Sequence, residues 1–154
     1  NMYSFKRIPL NADKSKRILV TSDIHGNLFC LRSVLEKAGF SKNDHLIIIG
    51  DMLEKGPDSL GTLRYAMKLC EEGDATVLIG NVDYFRLLNV YYTIEHPESA
   101  ANLFKYIAWI RDWKGTCFYD ELLAEVGFRI ESADQVVTGM KMIVDSFPKE
   151  LDFL

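Results

Sequence analysis

Three short apolar runs, each closed by a polar or glycine-bearing turn, set the rhythm of the first half of this chain: Arg17 to Thr21, Leu46 to Ile49 and Ala75 to Ile79. The second, Leu46-Ile47-Ile48-Ile49, has no polar position, which predicts a strand buried on both faces of a parallel sheet. Between the runs the apolar spacing becomes helical. Leu28, Leu31, Val34, Leu35 and Ala38 recur on one face, and Gly39 follows as a stop. Leu60, Leu63, Ala66, Met67 and Cys70 repeat the pattern, from a cap at Asp58 or Ser59 to about Glu72. Strand, helix, strand, helix, strand predicts an open parallel α/β sheet with right-handed crossovers and helices on both faces.

Beyond Asp83 the pattern is helical. It predicts helices over Tyr84 to Thr93, Ser99 to Trp113, Asp120 to Val126 and Ser132 to Val144, then a short turn from Pro148. The first two are rich in aromatics (Tyr84, Phe85, Tyr91, Tyr92, Phe104, Tyr106, Trp109 and Trp113), read as core and cap packing rather than as base-stacking residues. Ahead of the first strand, Tyr3, Phe5 and Ile8 predict a short edge strand. The chain therefore reads as one domain over residues 1–154, with a sheet core at 17–83 and a mainly helical extension at 84–154. It ends on apolar Leu151, Phe153 and Leu154, which predicts a truncated domain.

Composition narrows the function. At 154 residues the chain can bury one core. A net charge of −4, with no basic cluster beyond Lys14-Ser15-Lys16-Arg17, argues against a nucleic-acid backbone as partner. No apolar run approaches the ~18 residues of a membrane span. Cys30, Cys70 and Cys117 are odd in number and far apart, so they predict core residues in a reducing cytoplasm, not a disulfide framework.

The chemistry gathers where the strands end, which is where open α/β sheets bind ligands. Asp23-x-His25 follows the first strand, Gly50-Asp51 the second and Gly80-Asn81-x-Asp83 the third, with Gly56-Pro57-Asp58-Ser59 between. Extended backbone repeats with period two, which predicts Asp23 and His25 on the same side of a strand end. A carboxylate with an imidazole suits Mn, Fe, Zn or Ni. Asp51 can bridge two ions, and Asn81 adds a neutral oxygen that keeps the site attractive to phosphate. Such a pair can generate hydroxide and clamp an in-line displacement. Other residues have plainer readings: Asp58 and Ser59 as turn and helix cap, Arg86 as a solvated helix position, His45 at the start of a strand, His96 in a loop between helices. No Gly-x-Gly-x-x-Gly or P-loop supports a nucleotide-binding domain of another class.

Ser22-Asp23-Ile24-His25-Gly26-Asn27, Gly50-Asp51-Met52-Leu53-Glu54-Lys55-Gly56-Pro57-Asp58-Ser59 and Gly80-Asn81-Val82-Asp83 resemble the calcineurin-like metallophosphoesterases, nearest to their protein Ser/Thr phosphatase and diadenosine tetraphosphatase branch. The resemblance implies the parallel βαβαβ half of a metallophosphoesterase sandwich with a helical C-terminal extension. It implies Asp23 and His25 on a first metal, Asp51 bridging and Asn81 on a second. It further implies catalytic roles for Asp51, Asp83 and Lys55, Lys55 standing where the family has arginine. The ions implied are divalent, Mn²⁺ first with Fe or Zn as alternatives, and the second site is weak because further histidine ligands are missing. Val82 replaces the family's leaving-group histidine, so an impaired or inactive relative that binds metal or phosphate is the alternative to a working phosphoesterase. The implied partner is a phosphorylated protein, nucleotide or small ester. An exposed half-sheet would favour a homodimer.

Overall fold

A computed structural model describes residues 17–154. The edge strand predicted around Tyr3, Phe5 and Ile8 lies outside the described residues. The elements run β1 (Arg17–Ser22), α1 (Leu28–Lys37), β2 (Asp44–Ile49), α2 (Ser59–Glu71), β3 (Ala75–Leu78), α3 (Asn81–Glu95), α4 (Ala100–Lys114), α5 (Phe118–Glu125), α6 (Val136–Ser146) and α7 (Pro148–Phe153). The sheet is parallel in the order β1-β2-β3, with Thr21 opposite Ile48 and Ile48 opposite Val77. This is the predicted α/β alternation followed by a helical extension.

Register assigns the faces. Leu46 and Ile48 point into the core with Leu31, Leu35, Leu63 and Ala66 of the first two helices. Across the sheet, Ile18, Val20, Ile49 and Leu78 stand 38%, 59%, 48% and 50% exposed. The prediction of helices on both faces is thereby corrected. Consecutive strands placed side by side with crossovers of one hand put both helices on the same face, and none of the described helices covers the other.

The helices after β3 pack around α6, which touches α3, α4, α5 and α7. Met140, Ile143 and Val136 of α6 are buried with Leu122, Leu123 and Ile107. Charged side chains tie this layer down. Arg64 of α2 reaches Glu125 of α5 at 2.6 and 2.8 Å and Glu150 of α7 at 3.0 Å. Arg111 grips Asp120 with two bonds of 2.9 and 2.5 Å and donates to the Ile130 carbonyl at 2.7 Å. Burial raises the Asp120 carboxyl, but the Arg111 guanidinium outweighs it and holds the group below its ordinary value.

Helix ends follow the sequence closely. Asn27 caps α1 by accepting from the Cys30 N–H at 3.2 Å, and Asp58 caps α2 by accepting from the Gly61 N–H at 2.8 Å. Of the three cysteines, Cys117 is buried, Cys70 half-buried and Cys30 exposed, which corrects the reading of Cys30 as a core residue. Among the described residues no helix is long and apolar enough to cross a membrane.

Candidate metal centre

Asp23, His25 and Asp51 each offer a ligand atom within 4.8 Å of the others, the one such acidic and histidine cluster among the described residues. His25 Nε2 is 3.6 Å from Asp23 Oδ1 and 4.0 Å from Asp51 Oδ2. The histidine and Asp51 side chains are 14% and 19% exposed, while Asp23 is 66% exposed and forms the outer rim.

The convergence arises differently from the strand-end prediction. β1 stops at Ser22, and both Asp23 (φ +51°) and His25 (φ +49°) are left-handed. Asp51, Glu54 and Lys55 share that region, and these five are all the non-glycine residues with positive φ among those described. Each such residue costs about 1–3 kcal/mol and persists only where its surroundings hold it. Those surroundings are backbone hydrogen bonds between the first two motif loops. His25 N–H donates to the Asp51 carbonyl at 2.9 Å and Gly26 N–H to Met52 at 2.6 Å. In return Gly56 N–H donates to the His25 carbonyl at 2.6 Å and Asp58 N–H to Gly26 at 2.9 Å. The loops touch so closely that a Cβ on Gly56 would lie 2.3 Å from the His25 carbonyl oxygen.

The third motif joins through Gly80. A Cβ there would fall 2.2 Å from both the Asp51 amide nitrogen and its Oδ1, so only glycine lets α3 start beside Asp51. Asn81 is the first residue of α3, not a strand-end residue, and it is exposed. The next amide, Val82 N–H, donates to Asp51 Oδ1 at 3.1 Å. A helix N-terminus thus supports the Asp51 carboxylate.

Asp83 sits behind this loop with 0% exposure. Its Oδ1 accepts from Met52 N–H at 2.9 Å and Leu53 N–H at 3.0 Å, and its Oδ2 from Gly80 N–H at 3.1 Å. Both oxygens are committed to backbone. Asp83 sets the path of the loop that carries Asp51.

His25 has a defined tautomer. Nδ1 lies 3.2 Å from the Leu53 carbonyl, which only accepts, so Nδ1 carries the proton and Nε2 keeps its lone pair toward Asp23 and Asp51. Lys55 Nζ donates to that Nε2 at 2.8 Å. The donor set of two carboxylates and one outward imidazole nitrogen fits a divalent transition ion.

The other histidines lie elsewhere. His45, on β2, pairs with Thr76 Oγ1 at 2.9 Å, and His96 follows α3 with Glu98 at 3.3 Å. Arg86 is not solvated as predicted. Its side chain is 11% exposed, hydrogen-bonded to Tyr106 Oη and stacked over that ring at 4.4 Å, with Glu54 nearby at 4.0 Å.

Sequence reasoning missed Glu54. It is 2% exposed; Oε1 accepts from Phe118 N–H at 2.6 Å and Oε2 from Tyr106 Oη at 3.2 Å. Ser59 Oγ in turn accepts from the Glu54 N–H at 2.9 Å, and Lys114 Nζ donates to the Gly56 carbonyl at 2.8 Å. The helical extension is therefore the clamp on the Glu54–Gly56 loop. The available signal was a carboxylate inside a glycine-proline turn flanked by ligands.

A family model described as calcineurin-like phosphoesterase matches residues 16–142. The chain belongs to the calcineurin-like phosphoesterases. Membership in this metallophosphoesterase family carries the use of divalent metal with it, in agreement with the cluster. The symmetrical bis(5'-nucleosyl)-tetraphosphatase of Photorhabdus laumondii subsp. laumondii is 36% identical over 110 residues, covering 65% of this chain and 39% of that protein. The enzyme of the same name from Buchnera aphidicola subsp. Acyrthosiphon pisum is 34% identical over 104 residues, covering 67% and 31%. A crystal structure of a proposed diadenosine tetraphosphatase aligns with a TM-score of 0.46 at 32% identity, covering 56% of this chain and 38% of the other. This calcineurin-like phosphoesterase chain thus spans less than two-fifths of the length of those curated relatives.

Proposed function

We propose that this chain carries the motif-bearing part of a metal-dependent phosphoesterase that hydrolyses phosphoanhydrides or phosphomonoesters, a nucleoside polyphosphate being the favoured substrate. The observation that carries the reading is the meeting of Asp23, His25 and Asp51 donor atoms within 4.8 Å, held by strained backbone. The names of the relatives in Photorhabdus and Buchnera support the nucleotide.

In this reading Asp23 and His25 would hold a first ion, with Asp51 contributing to it as well, and Asn81 would serve a second, more weakly held ion. Manganese is the ion proposed, with iron or zinc as alternatives, from the mixed oxygen and nitrogen donors. When bound, such a pair supplies a hydroxide nucleophile and neutralises phosphate charge. The residues do the rest. Leu53 fixes the His25 tautomer, and the Val82 N–H orients Asp51 through Oδ1 so that Oδ2 faces His25. Lys55 steadies a phosphate oxygen as a point charge rather than a bidentate fork. Asp83 acts as a positioning residue. Val82 cannot donate a proton from its side chain, so the favoured leaving group is itself a phosphate of low basicity, as in an anhydride.

A cytoplasmic setting is part of the proposal, and the open apolar sheet face supports a second copy as its cover. The experiment is Mn²⁺-dependent hydrolysis of an aryl phosphate and of a dinucleoside tetraphosphate by this chain and by Asp51→Asn. Hydrolysis by this chain that falls at least a hundredfold in Asp51→Asn is expected. Activity that survives the substitution overturns the assignment. Metal binding without any turnover would select the inactive relative instead.

A further inference from the structure

The chain contains two tryptophans, and both lie on the outer face of α4. Trp109 is 61% exposed and Trp113 56% exposed. Their rings are stacked, with centroids 6.1 Å apart and planes 22° apart, and Tyr106 continues the row with its ring 6.2 Å from Trp109. Core and cap packing, the reading predicted for these residues, does not describe the two indoles. A pair of large rings left more than half exposed surrenders the burial that normally keeps tryptophan in a sequence.

The row is tied to the metal centre at both ends. At one end Tyr106 Oη donates to Glu54 Oε2 at 3.2 Å. At the other Lys114, the residue after Trp113, donates to the Gly56 carbonyl at 2.8 Å. Between Glu54 and Gly56 lies Lys55, whose ammonium reaches His25 Nε2. Tyr106 and Lys114, which bracket the two indoles along α4, therefore both hold the loop that presents Lys55. Flat apolar rings on a helix whose own residues Tyr106 and Lys114 hold the loop of the metal-ligand cluster suit a ligand that is aromatic at one end and polyanionic at the other.

We propose that Trp109 and Trp113 form a stacking platform for the purine base of a nucleoside polyphosphate whose phosphates reach the metal centre. The proposal rests on the phosphoesterase reading above and adds the recognition of the base, which the ligand cluster cannot supply. Base stacking on aromatic side chains tolerates any purine face, so the platform selects nucleotide over simple phosphate without demanding one particular base.

The test compares a dinucleoside tetraphosphate with inorganic tripolyphosphate, which has no base, by calorimetric binding to this chain in constant Mn²⁺. Tryptophan emission, which here comes from the platform alone, is read in parallel. The nucleotide is expected to bind about tenfold or more tightly than tripolyphosphate and to quench the emission saturably. Trp109→Ala with Trp113→Ala removes that preference and leaves tripolyphosphate binding unchanged. Trp109→Phe with Trp113→Phe, which keeps flat rings, retains much of it. Asp51→Asn weakens both ligands while leaving the preference in place.

Equal affinity for nucleotide and tripolyphosphate, or a preference that survives the double alanine variant, overturns the platform and leaves the phosphate site standing. Failure of both ligands to bind overturns the phosphoesterase reading, and the platform with it. An emission change that follows protein concentration instead of nucleotide marks the surface as a contact between copies of the chain and also overturns the proposal.

Discussion

Lys55 Nζ lies 2.8 Å from His25 Nε2, the one imidazole nitrogen whose lone pair is free for a metal ion. An ammonium and a divalent cation cannot both use that lone pair. Lys55 has to release Nε2 for an ion to take it.

Replacing it by Lys55→Met should therefore pull the two ligands apart in affinity. A unit charge a few ångströms away near the surface is worth on the order of 1 kcal/mol or more. Mn²⁺ binding to the variant should tighten by about three- to tenfold in a calorimetric titration. Inhibition by inorganic phosphate should weaken by a comparable factor. Unchanged metal affinity would show that Lys55 does not contest Nε2.

Asp83 should matter to stability and to metal binding alike, although it is buried away from the ligand atoms. In Asp83→Asn the amide nitrogen meets an N–H where a carboxylate oxygen had accepted one, at Gly80 or at Met52 and Leu53. Loss of charge-assisted bonds costs about 2–3 kcal/mol, a fall in the thermal midpoint on the order of 5–10 °C. Because Met52 follows Asp51 directly, Mn²⁺ affinity should fall as well. A destabilised variant with unaltered metal affinity would show that the Asp51 path does not depend on Asp83.

Glu121 should give the protein a pH dependence of unusual sign for a carboxylate. Its Oε1 accepts from the Leu60 N–H at 3.2 Å, while Oε2 is buried without a partner. Burial pushes its pKa up to about 7. The folded chain therefore holds a proton that the unfolded chain releases near the ordinary value of 4.5. The resulting stability is fully present below the unfolded value and is lost as pH rises through the folded one. Glu121→Gln keeps an acceptor for Leu60 and should flatten denaturation midpoints across that window. Allowing for its partial exposure, the gain at pH 8 should be roughly 1–2 kcal/mol. An undiminished decline in the variant would place the effect elsewhere. Asp44 acts in a different range, since its hydrogen bond with Arg17 holds it at about 2 and its contribution is lost only in more acid solution.

Much of the sheet and of the candidate cluster is legible in the chain. The continuous apolar run Leu46 to Ile49 and the 3–4 spacing from Leu60 to Cys70 are local signals, and they mark β2 and α2 within a residue or two. The cap at Asp58 is equally local. The exposure of Trp109 and Trp113 was not legible, because an apolar residue at helical spacing looks the same whether or not another element covers it. Nor was the burial of Arg86, whose partners Tyr106 and Glu54 are 20 and 32 residues away. Glu54 escaped notice for the same reason, as its acceptor role depends on Phe118, 64 residues on.

Because side-chain donor chemistry is a local property, residue types and their local order were enough to single out Asp23, His25, Asp51 and Asn81 as candidate ligands, of which the structure brings the donor atoms of Asp23, His25 and Asp51 together. Their geometry was not, because it depends on backbone that breaks the local rule. Asp23, His25 and Asp51 meet through left-handed conformations that residues other than glycine adopt only uncommonly. Only hydrogen bonds between distant loops, the close fit of Gly56 and Gly80, and the buried carboxylate of Asp83 hold them there. Tertiary structure thus decided which nitrogen of His25 faces the cluster. It also decided that Asp83 braces the site from behind, and that two indoles stand exposed on the helix whose Tyr106 and Lys114 hold the loop carrying Lys55.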